Sequence, residues 1–145
     1  MAPMRLEIIT AEREVYAGDV DALVAPGIEG QLGILPHHAP LMTVLQPGEI
    51  KIRKGGEETY LAVSGGFIEV IANKVTILAD ACEHPDEIDE ERALAAMERA
   101  KERLAHRQED IQLEQAAITV RRAQVRLNVA RRRRARSDMR STVQQ

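Results

Sequence analysis

The chain has 145 residues, one cysteine, three aromatic side chains (Tyr16, Tyr60 and Phe67) and a net charge of −3. A single cysteine, Cys82, excludes an intrachain disulfide and a cysteine-cluster metal site and fits a reducing compartment. The missing aromatics make the core aliphatic, and no run of 18 apolar residues is present to span a membrane.

The first 85 residues read as β structure. Short runs rich in Val, Ile and Leu predict strands over 5–10, 15–16, 19–25, 48–54, 57–63, 67–71 and 74–79. The N-terminus enters this pattern directly at Leu6-Glu7-Ile8-Ile9, so no signal peptide is expected. Lys54-Gly55-Gly56-Glu57 is a hairpin signal, because tight hairpin turns need φ > 0 at their centre. Ala72-Asn73-Lys74 predicts a second tight turn, and Gly65-Gly66 a bulge or a close backbone approach. Many short strands at this spacing predict an antiparallel β-sandwich or a flattened barrel.

Every glycine and proline lies at or before Pro85. Beyond it the chain is rich in Ala, Arg, Glu and Leu, the strong helix formers. Asp89 is placed as an N-cap, with Glu90 and Glu91 where the helix dipole favours negative charge. Ala93, Met97, Ala100 and Leu104 form one apolar stripe. Polar residues around 106–110 predict a turn. Leu113, Ala116, Val120, Ala123, Leu127 and Ala130 then form a heptad seam in which large residues alternate with alanines. The sum is an α+β chain: an N-terminal antiparallel β-sandwich over 1–85, then a C-terminal antiparallel helical hairpin over 86–145. So thin a seam buries little area, and the hairpin is expected to be marginally stable and able to open.

The end of the chain is basic. Residues 116–145 hold nine arginines and one aspartate, a charge of +8, which leaves −11 of the total −3 to residues 1–115. Such an end meets nucleic acid, lipid headgroups or an acidic protein surface. A nucleic-acid-binding module is one alternative reading, disfavoured because no aromatic platform exists for bases. His37 and His38 lack ligand-type neighbours at metal spacing and are expected to line a loop. Ser64 and Cys82 lack a base partner for nucleophilic catalysis. No catalytic residue and no metal ligand is therefore expected.

The stretch Gly30-Gln31-Leu32-Gly33-Ile34-Leu35-Pro36-His37-His38-Ala39-Pro40-Leu41 resembles the signature of the epsilon subunit of F-type ATP synthases, called delta in mitochondria. The resemblance continues through Leu45-Gln46-Pro47-Gly48, Val63-Ser64-Gly65-Gly66-Phe67-Ile68-Glu69-Val70, Val75-Thr76-Ile77-Leu78-Ala79-Asp80 and Ile88-Asp89-Glu90-Glu91-Arg92-Ala93. The motifs follow in the family's order over roughly residues 4 to 130.

That resemblance implies a non-enzymatic rotor subunit of the bacterial type. It would bind the gamma subunit, rest its sandwich on the c-subunit ring, and couple proton transport to ATP synthesis. Its helical arm would fold down or extend along gamma toward the catalytic alpha and beta subunits, where it inhibits ATP hydrolysis. It would be peripheral on the cytoplasmic side of the cell membrane, held there through the complex only, with no nucleic-acid partner. No cofactor is required, and the one ligand implied is a regulatory ATP.

The family's ATP motif matches Ile88, Asp89, Arg92 and Ala93, with Glu83 upstream and Arg122 and Arg126 on the second helix. The two arginines stand at i and i+4 and would clamp a polyphosphate. Asp89 also reads as a plain helix cap, and Arg92 as a solvated residue. A stand-alone ATP-binding module is the other alternative. No GxxxxGK loop is present, so hydrolysis at this site is not expected.

Arg131 to Arg134 and Arg136 form a basic run past the matched motifs. It reads either as a solvated tail or as a charge drawn to an acidic segment of the catalytic beta subunit. From Ala116 onward the chain offers it only Asp138. The run is therefore expected to favour the extended arm.

Overall fold

A computed structural model describes residues 3–105 and 110–143, with the side chains of 3–105 and 114–136. The turn expected around 106–110 lies mostly outside the described residues; the side chains of Leu113 and Asp138 also lie outside them. The chain divides into two compact units, Met1–Glu83 and His84–Gln145.

The first unit is a β-sandwich of ten strands: β1 Met4–Ile9, β2 Glu14–Val20, β3 Ala22–Gly27, β4 Gly30–Ile34, β5 Leu41–Leu45, β6 Gly48–Lys54, β7 Glu57–Val63, β8 Gly66–Ile71, β9 Lys74–Ala79 and β10 Cys82–Glu83. They pair in the order β10-β7-β6-β3-β5-β8-β9-β1-β2, with β4 also on β3. Pairing is antiparallel except between β1 and β9, which run parallel with Leu6 opposite Val75 and Ile8 opposite Ile77.

Alternation puts one face of each strand inside. Met4, Leu6 and Ile8 of β1 are buried together with Ile50 and Ile52 of β6, Leu61 and Val63 of β7, Ile68 and Val70 of β8, and Val75 and Ile77 of β9. The core is aliphatic, as the composition requires.

Both turns expected from the sequence are present. Gly55 and Gly56 have φ of 58° and 82°, and Asp21 Oδ2 accepts the Gly55 N–H at 2.8 Å. Ala72 and Asn73 have φ of 50° and 60°. A left-handed conformation is costly for a non-glycine residue. The Asn73 side chain offsets it by accepting the His37 N–H at 2.8 Å and donating to the Pro3 carbonyl at 3.1 Å. His37 and His38 lie in the loop after β4, where the His38 ring nitrogen Nδ1 is 2.7 Å from the Ala39 carbonyl oxygen.

Two strand expectations need correction. The run 19–25 is broken at Asp21, where the backbone N–H turns to the Arg53 carbonyl at 2.8 Å; its first part belongs to β2 and the rest to β3. Strands β4, β5 and β10 were not foreseen. β4 is GQLGI, a loop-like composition; β5 is LMTVL, apolar enough for a strand but set between Pro40 and Pro47, which read as loop.

All side chains of the sandwich core fall between Met4 and Cys82. The chain ended after residue 85 should therefore fold alone, with β-type circular dichroism and cooperative melting. An unfolded product would show that the helices complete the core.

The second unit begins with a 3-10 turn, Pro85–Glu87, followed by α1 Glu90–Ala105 and α2 Asp110–Val143. Asp89 caps α1: its Oδ1 accepts the Arg92 N–H at 3.1 Å and its carbonyl accepts from Ala93 at 3.0 Å. The expected seam is present. Ala93 and Met97 of α1 pack with Ala123 and Leu127 of α2, and Val120 lies against them. Ala100, Ala116 and Ala130 are also buried.

The premise that the closed hairpin offers the arginine run few carboxylates is overturned. Arg133 Nε lies 2.6 Å from Asp86 Oδ1, and Arg134 Nη1 lies 3.4 Å from Glu90 Oε2. The expectation counted carboxylates from Ala116 onward and missed those that the antiparallel hairpin brings back beside the run.

Candidate nucleotide site

Helix α1 turns one face toward α2 and leaves the next face open. On it stand Arg92, Ala95, Ala96 and Arg99, at i, i+3, i+4 and i+7. Residues at this spacing share a side of the helix. The two alanines keep the middle low, and the arginines stand about 10 Å apart along the axis at 1.5 Å per residue. Together with Glu87, Asp89 and Arg126 they line a cleft of about 410 Å³.

Three guanidinium groups face two carboxylates there. One carboxylate, Asp89, already gives Oδ1 to its own helix cap. The arrangement suits an anion with several oxygens, since guanidinium donates planar, paired hydrogen bonds that fit phosphate. Among the described residues the lining holds no Ser, Cys, His or Lys, so the cleft offers neither a nucleophile nor a neutral base.

Of the residues singled out in the sequence, the structure brings together Asp89, Arg92 and Arg126. Ala93 is fully buried in the helix seam and Ile88 is buried beside the cap; neither lines the cleft. Arg122 is exposed on α2 and is outside the lining. A step of four residues advances about 40° around a helix. Arg126 is half-buried and lines the cleft, whereas Arg122 is exposed. Glu83 lies on β10 in the first unit, opposite Ala62 of β7.

The sequence reading missed Arg99. Its signal is the seven-residue spacing from Arg92 with small residues between. It also missed Glu87, which lies on the 3-10 turn and accepts the His84 N–H at 3.1 Å.

No helix among the described residues is long and apolar enough to cross a membrane. Among them there is also no cluster of His, Cys, Asp and Glu fit to hold a metal ion.

Comparison with known proteins bears on both units. The family described as ATP synthase, Delta/Epsilon chain, beta-sandwich domain matches residues 3–85. The long alpha-helix domain of the same chain matches 86–131. An ATP synthase epsilon chain of Herpetosiphon aurantiacus is 53% identical over 134 residues, covering 92% of this chain and 98% of that one. One of Dehalococcoides mccartyi is 51% identical over 135 residues, covering 92% and 96%.

Among solved structures, a chain of the Euglena gracilis mitochondrial ATP synthase superposes with a TM-score of 0.74 at 24% identity, over 83% of this chain and 77% of that one. A chain of the Tetrahymena thermophila enzyme gives 0.51 at 24%, over 59% and 69%. These two likenesses concern the fold. The two domain matches, in order and nearly end to end, show that the chain belongs to the ATP synthase delta/epsilon family, as an epsilon-type subunit that is accessory rather than catalytic.

Proposed function

We propose that the chain is a central-stalk subunit that couples rotation to ATP synthesis and restrains ATP hydrolysis through its helical hairpin. The solved assemblies that share its fold include a c-ring, and one is of the central stalk with the c-ring. In this reading the β-sandwich docks on the gamma subunit and rests on the c-ring, so the protein is peripheral to the membrane through its complex.

The exposed face of the sandwich supports a docking role. Val44, Phe67 and Leu78 stand opposite one another across β5, β8 and β9. Phe67 is 54% exposed and Leu78 55%. A row of large apolar side chains in water marks an interaction surface.

The hairpin is the regulatory element. The observation that carries this is the cleft lined by Asp89, Arg92, Arg99 and Arg126. Three of these residues come from α1 or its cap and one from α2. A polyphosphate seated there bridges the two helices and favours the closed hairpin. An extended hairpin separates Arg126 from the others and reaches toward the alpha and beta subunits. Nucleotide thus acts by differential affinity for the two arrangements.

Calorimetry on the isolated protein tests the site. Arg126→Ala should weaken ATP binding by about 1–3 kcal/mol, the cost of a lost charged hydrogen bond. Arg99→Ala should act in the same direction. Arg122→Ala, on the outer face, should leave affinity within about twofold, as exposed substitutions generally do. No heat of binding at millimolar ATP, or equal losses at Arg122 and Arg126, would contradict the assignment.

A further inference from the structure

Helix α2 continues beyond its apolar seam. Among the described residues Ala130 is the last buried one of the seam, and five of the next six residues are arginines. The family's helical domain ends its match at residue 131, so Arg133 and Arg134 lie past what that domain prescribes. Both nevertheless reach across the hairpin. Arg133 meets Asp86 on the 3-10 turn before α1. Arg134 meets Glu90, the first residue of α1, across 44 positions of sequence.

Successive helical residues point about 100° apart. The two neighbours therefore hold two different elements, the turn and the start of the helix it leads into. Both contacts lie at the end of the hairpin opposite the α1–α2 connection. Opening of the hairpin breaks both.

We infer that Arg133 and Arg134, with Asp86 and Glu90 as their counterparts, form an ionic latch that holds the helical hairpin closed at its free end. Each pair is exposed, so each multiplies the closed-to-open ratio by only about two to five. Against a folded domain this is small. Against a seam built mainly of alanines, with Met97, Val120 and Leu127 among its few large side chains, it is enough to move the balance. The latch also makes the balance depend on ionic strength, because exposed charges are screened within about 10 Å at 0.1 M salt. Its consequence for hydrolysis rests on the regulatory role proposed above; the latch itself does not. In sign it opposes the expectation that the arginine run favours the extended arm.

The test measures hairpin closure directly, in the full chain and without nucleotide, so its outcome is separate from that of the ATP site. Spin labels are placed at exposed positions near the free end, through Glu91→Cys and Ala135→Cys in a Cys82→Ala background, and their separation is read by pulsed electron paramagnetic resonance. The native arginines should give mainly the short distance. The pair Arg133→Ala and Arg134→Ala should raise the long-to-short distance ratio about four- to twenty-five-fold. Alanine is a better helix former than arginine, so melting of α2 does not produce this change. Raising salt to 0.5 M should open the native hairpin and change the double variant less. Exchanging the charges, Asp86→Arg with Arg133→Asp, should restore closure relative to Arg133→Asp alone. A double variant with the native distance distribution, or a native distribution indifferent to salt, overturns the latch.

Discussion

Gly66→Val should unfold the β unit. Gly66 opens β8 with φ of +139° and pairs with Leu45 on one side and Ala79 on the other. A Cβ there would lie 2.2 Å from the Leu78 carbonyl oxygen and 2.9 Å from the Ala79 Cα. Both are backbone atoms of a paired strand, so neither yields without breaking the ladder. A positive φ adds strain for a branched residue. The expected loss is about 4 kcal/mol or more, a large part of the 5–15 kcal/mol that holds a typical domain. Gly33→Ala is the control, since nothing lies within 4 Å of its added Cβ; its stability should change by less than about 0.5 kcal/mol. Urea denaturation followed by circular dichroism measures both. A native midpoint for Gly66→Val would show that β8 and β9 can separate at no cost.

Much of the sandwich was legible because its signals are local. Gly55-Gly56 and Ala72-Asn73 fixed two hairpins, and alternation identified β1, β6, β7, β8 and β9. What was not legible depends on distant partners. β4 has two glycines in five residues and is held by pairing with β3; β5, an apolar run on β8, is hidden by the prolines that flank it. The parallel register of β1 on β9 joins segments about 70 residues apart, and nothing in either segment announces it. The helical seam was largely readable, since a heptad pattern states which residues face the partner; Val129, fully buried but off the heptad, was not.

The cleft was half legible. Asp89, Arg92 and Arg126 came from a motif and a charge pattern, and the structure brings them together. Arg122 was grouped with Arg126 because both stand on one helix at i and i+4. That spacing still differs by about 40°, enough to separate a half-buried residue that lines the cleft from an exposed one. Arg99 belongs to the lining; its one signal, the seven-residue spacing from Arg92 across Ala95 and Ala96, was not read. The carboxylates beside the arginine run were not legible, because Asp86 and Glu90 precede it by more than 40 residues.

The largest functional effect should follow from removing the helical unit. The β unit has its own core and its own exposed apolar row at Val44, Phe67 and Leu78, so it should still assemble with the complex. The hairpin is held by a small seam and exposed ion pairs, Arg133–Asp86 and Arg134–Glu90 among them, a construction that favours movement over rigidity. If its extension is what blocks the catalytic subunits, assembly survives its removal and inhibition does not. The decisive measurement is therefore ATP hydrolysis by the assembled complex carrying either the full chain or residues 1–85 alone, with subunit content checked in both. The account predicts normal assembly and a severalfold higher hydrolysis rate without the hairpin. Equal rates in two fully assembled complexes would contradict it.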